Sequence, residues 1–208
     1  IDHLLDIGLQ DKQLDIDFYF LKAAYLHSKD DDAGAYSYLT KSKKLFQKTT
    51  TKYSLAFWVL FLWIEINYKR NKNQAYRTLE KAESSRVVKF VNEPFLIFFR
   101  IFIEIWNGNY GIALEHLPRF ISDRIDQPEK KDLIRILLLL MAKNQHHILL
   151  NIFEEYDKLK EYYKPIYFAL MYHLEDEYPN EYLKMGEELK QPVEDILKEV
   201  KEMAVKYA

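Results

Sequence analysis

The chain contains no cysteine in 208 residues. That excludes disulfide frameworks, thiol nucleophiles and cysteine-ligated zinc, and it is compatible with a reducing, cytoplasmic setting. Five glycines and six prolines are few for this length, and glycines so scattered cannot build a phosphate cradle. No Walker-type phosphate loop, dinucleotide fingerprint, nucleophile elbow or H-E-x-x-H pattern occurs. Long apolar runs are missing too. The two richest segments, Leu55 to Ile66 and Phe95 to Trp106, fall short of the roughly 18 to 20 residues that a bilayer span requires. The second also carries Arg100 and Glu104 at i,i+4, where they can pair on one helix face. Among the histidines, His146 and His147 are adjacent and point about 100° apart on a helix. His173 and Glu177 have a two-ligand spacing, but no third ligand accompanies them. Glu154-Glu155 and Glu187-Glu188 read as solvated pairs rather than convergent carboxylates. The expectation is therefore no catalytic residue, no metal and no cofactor.

What is present is apolar and periodic. Hydrophobic residues make up 49% of the chain and aromatics 15%, and they recur at helical spacing, which favours long helices over a sheet. A small residue, Leu four positions on and another small or aromatic residue three further form a repeat, of which the last copy is looser and carries Leu and Phe in the first two places. Its copies are Ala35, Leu39, Ser42; Ala75, Leu79, Ala82; Ala113, Leu117, Phe120; and Leu149, Phe153, Tyr156. The copies start at 35, 75, 113 and 149, in steps of 40, 38 and 36 residues, a period that reads as stacked helix pairs. Each pair has an A helix, a short turn and a B helix. The A helices are expected over Asp15 to Ser28, Thr50 to Tyr68, Pro94 to Trp106 and Glu129 to Lys143. The B helices are expected over Asp32 to Gln47, Gln74 to Ser85, Tyr110 to Ser122 and His146 to Lys160, with Pro118 bending or shortening the third. Pro165 to Glu177 makes a fifth A helix, Pro179 opens a short one, and Pro192 opens an amphipathic terminal helix to Tyr207. The division is thus a single domain over 1–208, with 15–178 as helix pairs and 179–208 as capping helices. Ile1 stands where Met would, and Leu4, Leu5, Ile7 and Leu9 read as the end of a preceding helix in 1–14, so a fragment of a longer protein is expected.

The units resemble tetratricopeptide repeats. Gly108, Asn109, Tyr110 and Ala113 match that family's turn, and Ala75, Leu79 and Ala82 match the core of its B helix. The steps exceed the family's usual length of about 34 residues, and its Trp-Leu-Gly-Tyr pattern in the A helix is missing. The resemblance implies an all-α fold, a right-handed α-α superhelix with a terminal capping helix, whose A helices line a concave protein- or peptide-binding groove. In this chain that groove would hold Phe57, Leu60, Ile64 and Asn67 from the second unit. Phe95, Phe98 and Phe102 would join from the third, with Arg100 and Glu104 as nearby polar groups. The other reading of the same stripe stays open: these residues are core, or the C-terminal helices fold back and cover them.

Charge is uneven although the formal net is only −2. Residues 41–89 carry 12 Lys and Arg against 3 Asp and Glu, whereas residues 175–208 carry 5 against 10. The basic block contains Lys41, Lys44 and Lys48 on one helix face, the turn residues Lys69, Arg70 and Lys72, and Arg77 with Lys81 at i,i+4. It is a candidate surface for an anionic partner. No helix-turn-helix or zinc finger accompanies it, so nucleic acid is a disfavoured partner.

Three functions follow as expectations. The first is a protein-interaction or scaffold module, the C-terminal sensor or docking region of a larger cytoplasmic protein. The second is a regulatory domain that binds a short peptide or small effector and controls an N-terminal DNA-binding or nucleotide-hydrolysing domain. The third is an enzyme or nucleic-acid-binding domain without a recognisable motif.

Overall fold

The structure is a computed structural model that describes residues 12–46, 55–84, 94–127, 131–178 and 184–208. All regular structure among these residues is helical, and no strand is found there. The helices are α1 (Lys12–His27), α2 (Asp32–Phe46), α3 (Leu55–Ile64), α4 (Lys72–Ser84), α5 (Pro94–Asn107) and α6 (Tyr110–Arg124). They continue as α7 (Lys131–Ala142), α8 (His146–Glu155), α9 (Asp157–Tyr162), α10 (Lys164–His173) and α11 (Lys190–Lys206). A π turn, Glu65–Lys69, extends α3, and a short 3-10 turn, Glu187–Leu189, precedes α11. Outside the described residues fall the expected helix end at the extreme N-terminus, the start of the second A helix at Thr50, the Asn92 cap and the opening of a helix at Pro179.

The sequence repeat has a backbone counterpart. Asp30, Arg70, Gly108 and Asn144 have φ of 60°, 51°, 81° and 56°, the positive values found among the described residues. Each stands five residues before Ala35, Ala75, Ala113 or Leu149, so the 40, 38 and 36 residue steps recur in the turns. In three of the four turns the residue after the left-handed one donates its N–H to the carbonyl five positions back: Asp31 to Leu26 (3.0 Å), Asn109 to Glu104 (2.8 Å) and Gln145 to Leu140 (2.9 Å). This is the Schellman closure of a helix end, which satisfies an orphan carbonyl. Only the third turn uses glycine, the residue with no steric penalty there; Asp and Asn tolerate the left-handed region, whereas Arg70 does so at greater cost. Each B helix then starts alike. Ala35, Ala75, Ala113 and Leu149 donate to the carbonyls of Asp31, Asn71, Asn109 and Gln145 at 3.0, 2.9, 3.2 and 3.1 Å. The Asp31 and Asn71 side chains add caps, accepting from the Gly34 and Gln74 N–H groups at 2.8 and 3.0 Å.

The second turn differs by one inserted residue. Arg70 closes on the Glu65 carbonyl at 2.9 Å at the end of the π turn, a local widening that is rare in helices and frequent at functional sites.

Contacts group the chain into two compact units, residues 1–96 and 97–208. In the first, α1 packs closely along α2, and α3 with its π turn lies against α2 and α4. Ala23, Ala35, Ala75 and Ala82 are completely buried, and these small side chains let the helices approach closely. In the second unit α8 packs on α7, α9 and α10, and α11 lies against both α7 and α10. The terminal helix therefore contacts the fourth and fifth A helices, and it reaches the third as well. Tyr207 sets its ring edgewise on Phe102 (5.2 Å, 82°) and Trp106 (5.3 Å, 77°), and Lys143 Nζ donates to the Tyr207 carbonyl.

Pro118 does not shorten its helix, which continues to Arg124. The bond its ring removes would have gone to the carbonyl of Leu114, an exposed residue, so water can satisfy that group. The fourth B helix is interrupted at Tyr156, whose backbone is extended (φ −121°, ψ 81°), and resumes as α9. No described helix is long and apolar enough to cross a membrane.

Candidate functional site

The apolar stripe of the A helices is core, which corrects the groove reading. Phe57 is 1% exposed, Ile64 0%, Phe98 3% and Phe102 3%. Phe57 packs on Phe20 and Phe61 at ring distances of 6.2 and 5.6 Å. Phe98 packs on Phe102 and Phe120 at 5.8 and 6.3 Å. Phe102 lies beneath Tyr207. A partner cannot touch such side chains without prising helices apart. Leu60 and Asn67 are half-buried, and Asn67 Nδ2 donates to the Trp63 carbonyl at 2.9 Å. The Phe95 side chain lies outside the described residues.

Arg100 and Glu104 do meet, at 3.0 Å, but not as groove groups. Glu104 is completely buried, and its second oxygen accepts from Asn109 Nδ2 at 2.8 Å. The trio ties α5 to its turn through charge-assisted hydrogen bonds, an internal structural role.

The equivalent glutamate of the second helix pair is arranged differently. Glu65, at the start of the π turn, is completely buried, and neither carboxylate oxygen has a hydrogen-bond partner. Thr78 and Gln74 lie beside it, close enough for both to hold its pKa down, and Gln74 Nε2 also donates to Thr78 Oγ1 at 3.5 Å. Burial raises the Glu65 pKa, opposed by Thr78 and by the charge of Lys43. Burial likewise lowers the pKa of Lys43, whose ammonium sits 4.5 Å from the Phe61 ring centre.

Beside this turn, α2 and the end of the π turn enclose an open hollow of about 370 Å³. From α2 come Tyr36, Ser37, Thr40, Lys41 and Lys44, and from the π turn come Tyr68 and Lys69. Three residues of the expected basic surface, Lys41, Lys44 and Lys69, are thus brought together. None of the three has a carboxylate within ion-pair distance among the described residues. Tyrosine rings hold two of them instead: Lys41 Nζ is 4.7 Å from the Tyr38 centroid, and Lys69 Nζ is 4.7 Å from that of Tyr36 and 5.4 Å from that of Tyr68. These cation–π contacts position the ammoniums without neutralising them. Tyr36 stacks on Phe61 (5.9 Å, 22°), and burial, with the nearby Glu65 charge, raises its phenol pKa, so it stays a donor at neutral pH.

The remaining basic candidates do not line the hollow. Arg70, Lys72, Arg77 and Lys81 are exposed, Lys81 close enough to Glu65 and Lys43 to influence both. Lys48 lies outside the described residues. The sequence reading missed Tyr36, Ser37, Thr40 and Tyr68. A signal was there: Tyr36, Thr40 and Lys44 are spaced by four and share a helix face with Ser37 and Lys41.

In the second unit the histidines form a pair. His146 stacks on His173 (4.7 Å, 18°), while His147 Nε2 lies 3.6 Å from Glu177 Oε1. Burial lowers the pKa of both stacked rings, so they are neutral near pH 7. No cluster of three or more metal-ligating side chains occurs among the described residues.

Comparison with family models, curated proteins and solved structures finds no match to this chain. The functional reading therefore rests on the residues themselves.

Proposed function

We propose that the chain is a protein-interaction module, a tetratricopeptide-like array of helix pairs that docks an acidic segment of a partner protein on the basic face of its first unit. The observation that carries this reading is the hollow between α2 and the π turn, where three lysines without ion-pair partners meet, two of them set against tyrosine rings. A purely solvated helix face has no reason to gather cations around one concavity. The irregular backbone at Glu65–Lys69 and the unpartnered Glu65 adjoin the same place, and departures from local folding rules concentrate at functional sites. The recurrent turns support the repeat reading. The effector-groove reading loses its support, because the stripe that would form the groove is buried.

A fluorescein-labelled glutamate-rich peptide, followed by anisotropy, tests this. Binding should weaken steeply with added salt, as screening predicts. Lys41→Glu combined with Lys69→Glu should lower affinity by about 100-fold, on the order of 2.7 kcal/mol for two reversed contacts, while helical content stays unchanged. Equal affinity for the reversed variant would remove the hollow from the interaction.

A further inference from the structure

We infer that the hollow between α2 and the π turn is a receptor for a phosphate monoester on a partner protein, a phosphoserine or phosphothreonine side chain. This rests on the docking reading above and narrows its ligand. The first argument is charge. Lys41, Lys44 and Lys69 supply three ammoniums with no carboxylate among them. A single carboxylate would leave two of these unmatched. A phosphate monoester carries about −1.5 to −2 at neutral pH and offers three acceptor oxygens, which matches three ammonium donors.

The second argument is preorganisation. Lys41 and Lys69 already lie over tyrosine faces, and Lys44 shares the Lys41 face of α2. Little side-chain freedom is then lost when an anion arrives, and that loss is a main cost of binding. Hydroxyl donors complete the lining: Ser37 is exposed, and the Tyr36 phenol remains protonated. Thr40 contributes less, because its Oγ1 donates to the Tyr36 carbonyl at 2.8 Å.

The third argument is size. A volume of about 370 Å³ lies at the small end of ligand sites and holds a phosphorylated side chain. Tyr68, 42% exposed at the rim, offers an apolar face to the flanking peptide. A polynucleotide would instead need cations and stacking platforms spaced along its backbone, whereas these cations converge on one volume.

Calorimetry on the whole chain at low ionic strength tests the inference, using end-blocked alanine peptides with a central phosphoserine, glutamate or serine, and also inorganic phosphate and an oligothymidylate. The expected result is that the phosphoserine peptide binds at least about tenfold tighter than the glutamate peptide, with the serine peptide silent and inorganic phosphate competing. Lys41→Gln with Lys69→Gln should remove that preference, and Lys44→Gln alone should reduce it, while Lys158→Gln in the second unit leaves it intact. Equal binding of the glutamate and phosphoserine peptides would overturn the phosphate assignment and leave acidic docking standing. Tighter binding of the oligothymidylate would overturn it in favour of a nucleic-acid surface. Binding by none of the probes would overturn it together with the docking reading.

Discussion

Deleting residues 190–208 should cost the second unit its native packing. α11 buries Val193 and Val200 and lies against α7 and α10, and Tyr207, which follows it, is buried on Phe102 and Trp106. Each fully buried side chain of this size contributes ~1.5–3 kcal/mol, and the uncovered faces of α7 and α10 lose burial as well. Against a typical domain stability of ~5–15 kcal/mol, the sum removes most of the margin. The truncated chain should bind a hydrophobic dye, self-associate and lose cooperative unfolding, as an exposed apolar face does. The point variant Tyr207→Ala should destabilise by about 3 kcal/mol, through the cavity left between the Phe102 and Trp106 rings. A monomeric truncation that melts as sharply as the parent would show that the helix is an appendage rather than part of the core.

Replacing Glu65 should have the opposite sign. Its carboxylate is buried without a hydrogen bond, and burial is the largest cause of both its raised pKa and the lowered pKa of Lys43. The attraction between the two is thus smaller than the cost of desolvating them. Glu65→Met, of similar shape and without charge, should raise stability at neutral pH by ~1–3 kcal/mol. The pH dependence follows from the direction of the shift. A carboxyl whose folded pKa lies above its unfolded value destabilises the fold most above the folded pKa, and that penalty fades as pH falls towards the unfolded value of 4.5. Denaturant melts of parent and variant should therefore converge on acidification. A variant less stable than the parent at neutral pH would mean that Glu65 works as a partner of Lys43 and Lys81.

Much of the backbone was legible because the repeat is written in small residues. Ala35, Ala75 and Ala113 mark where a B helix must approach its neighbour, and the turns fall five residues earlier in every unit. The π turn was not legible, since one inserted residue before Arg70 leaves the Ala75 spacing intact. A helical apolar stripe reports that one face is covered but not by what. For Phe102 the cover is Tyr207, about a hundred residues away in the chain, and no local pattern encodes that pairing. The lysines of the candidate site stood out as a charged face. Its tyrosines did not, because an aromatic at helical spacing reads equally as core, and Tyr68 turned out to be exposed.

An amide nuclear-magnetic-resonance map of the whole chain, recorded as a phosphoserine peptide is added at low salt, would show which surface meets the ligand. Shifts should cluster on residues 33–44 and 68–70, with the α5, α7 and α11 amides unmoved. Shifts confined to α5, α7 and α11, with the α2 lysines silent, would contradict the account and return the binding surface to the apolar A helices.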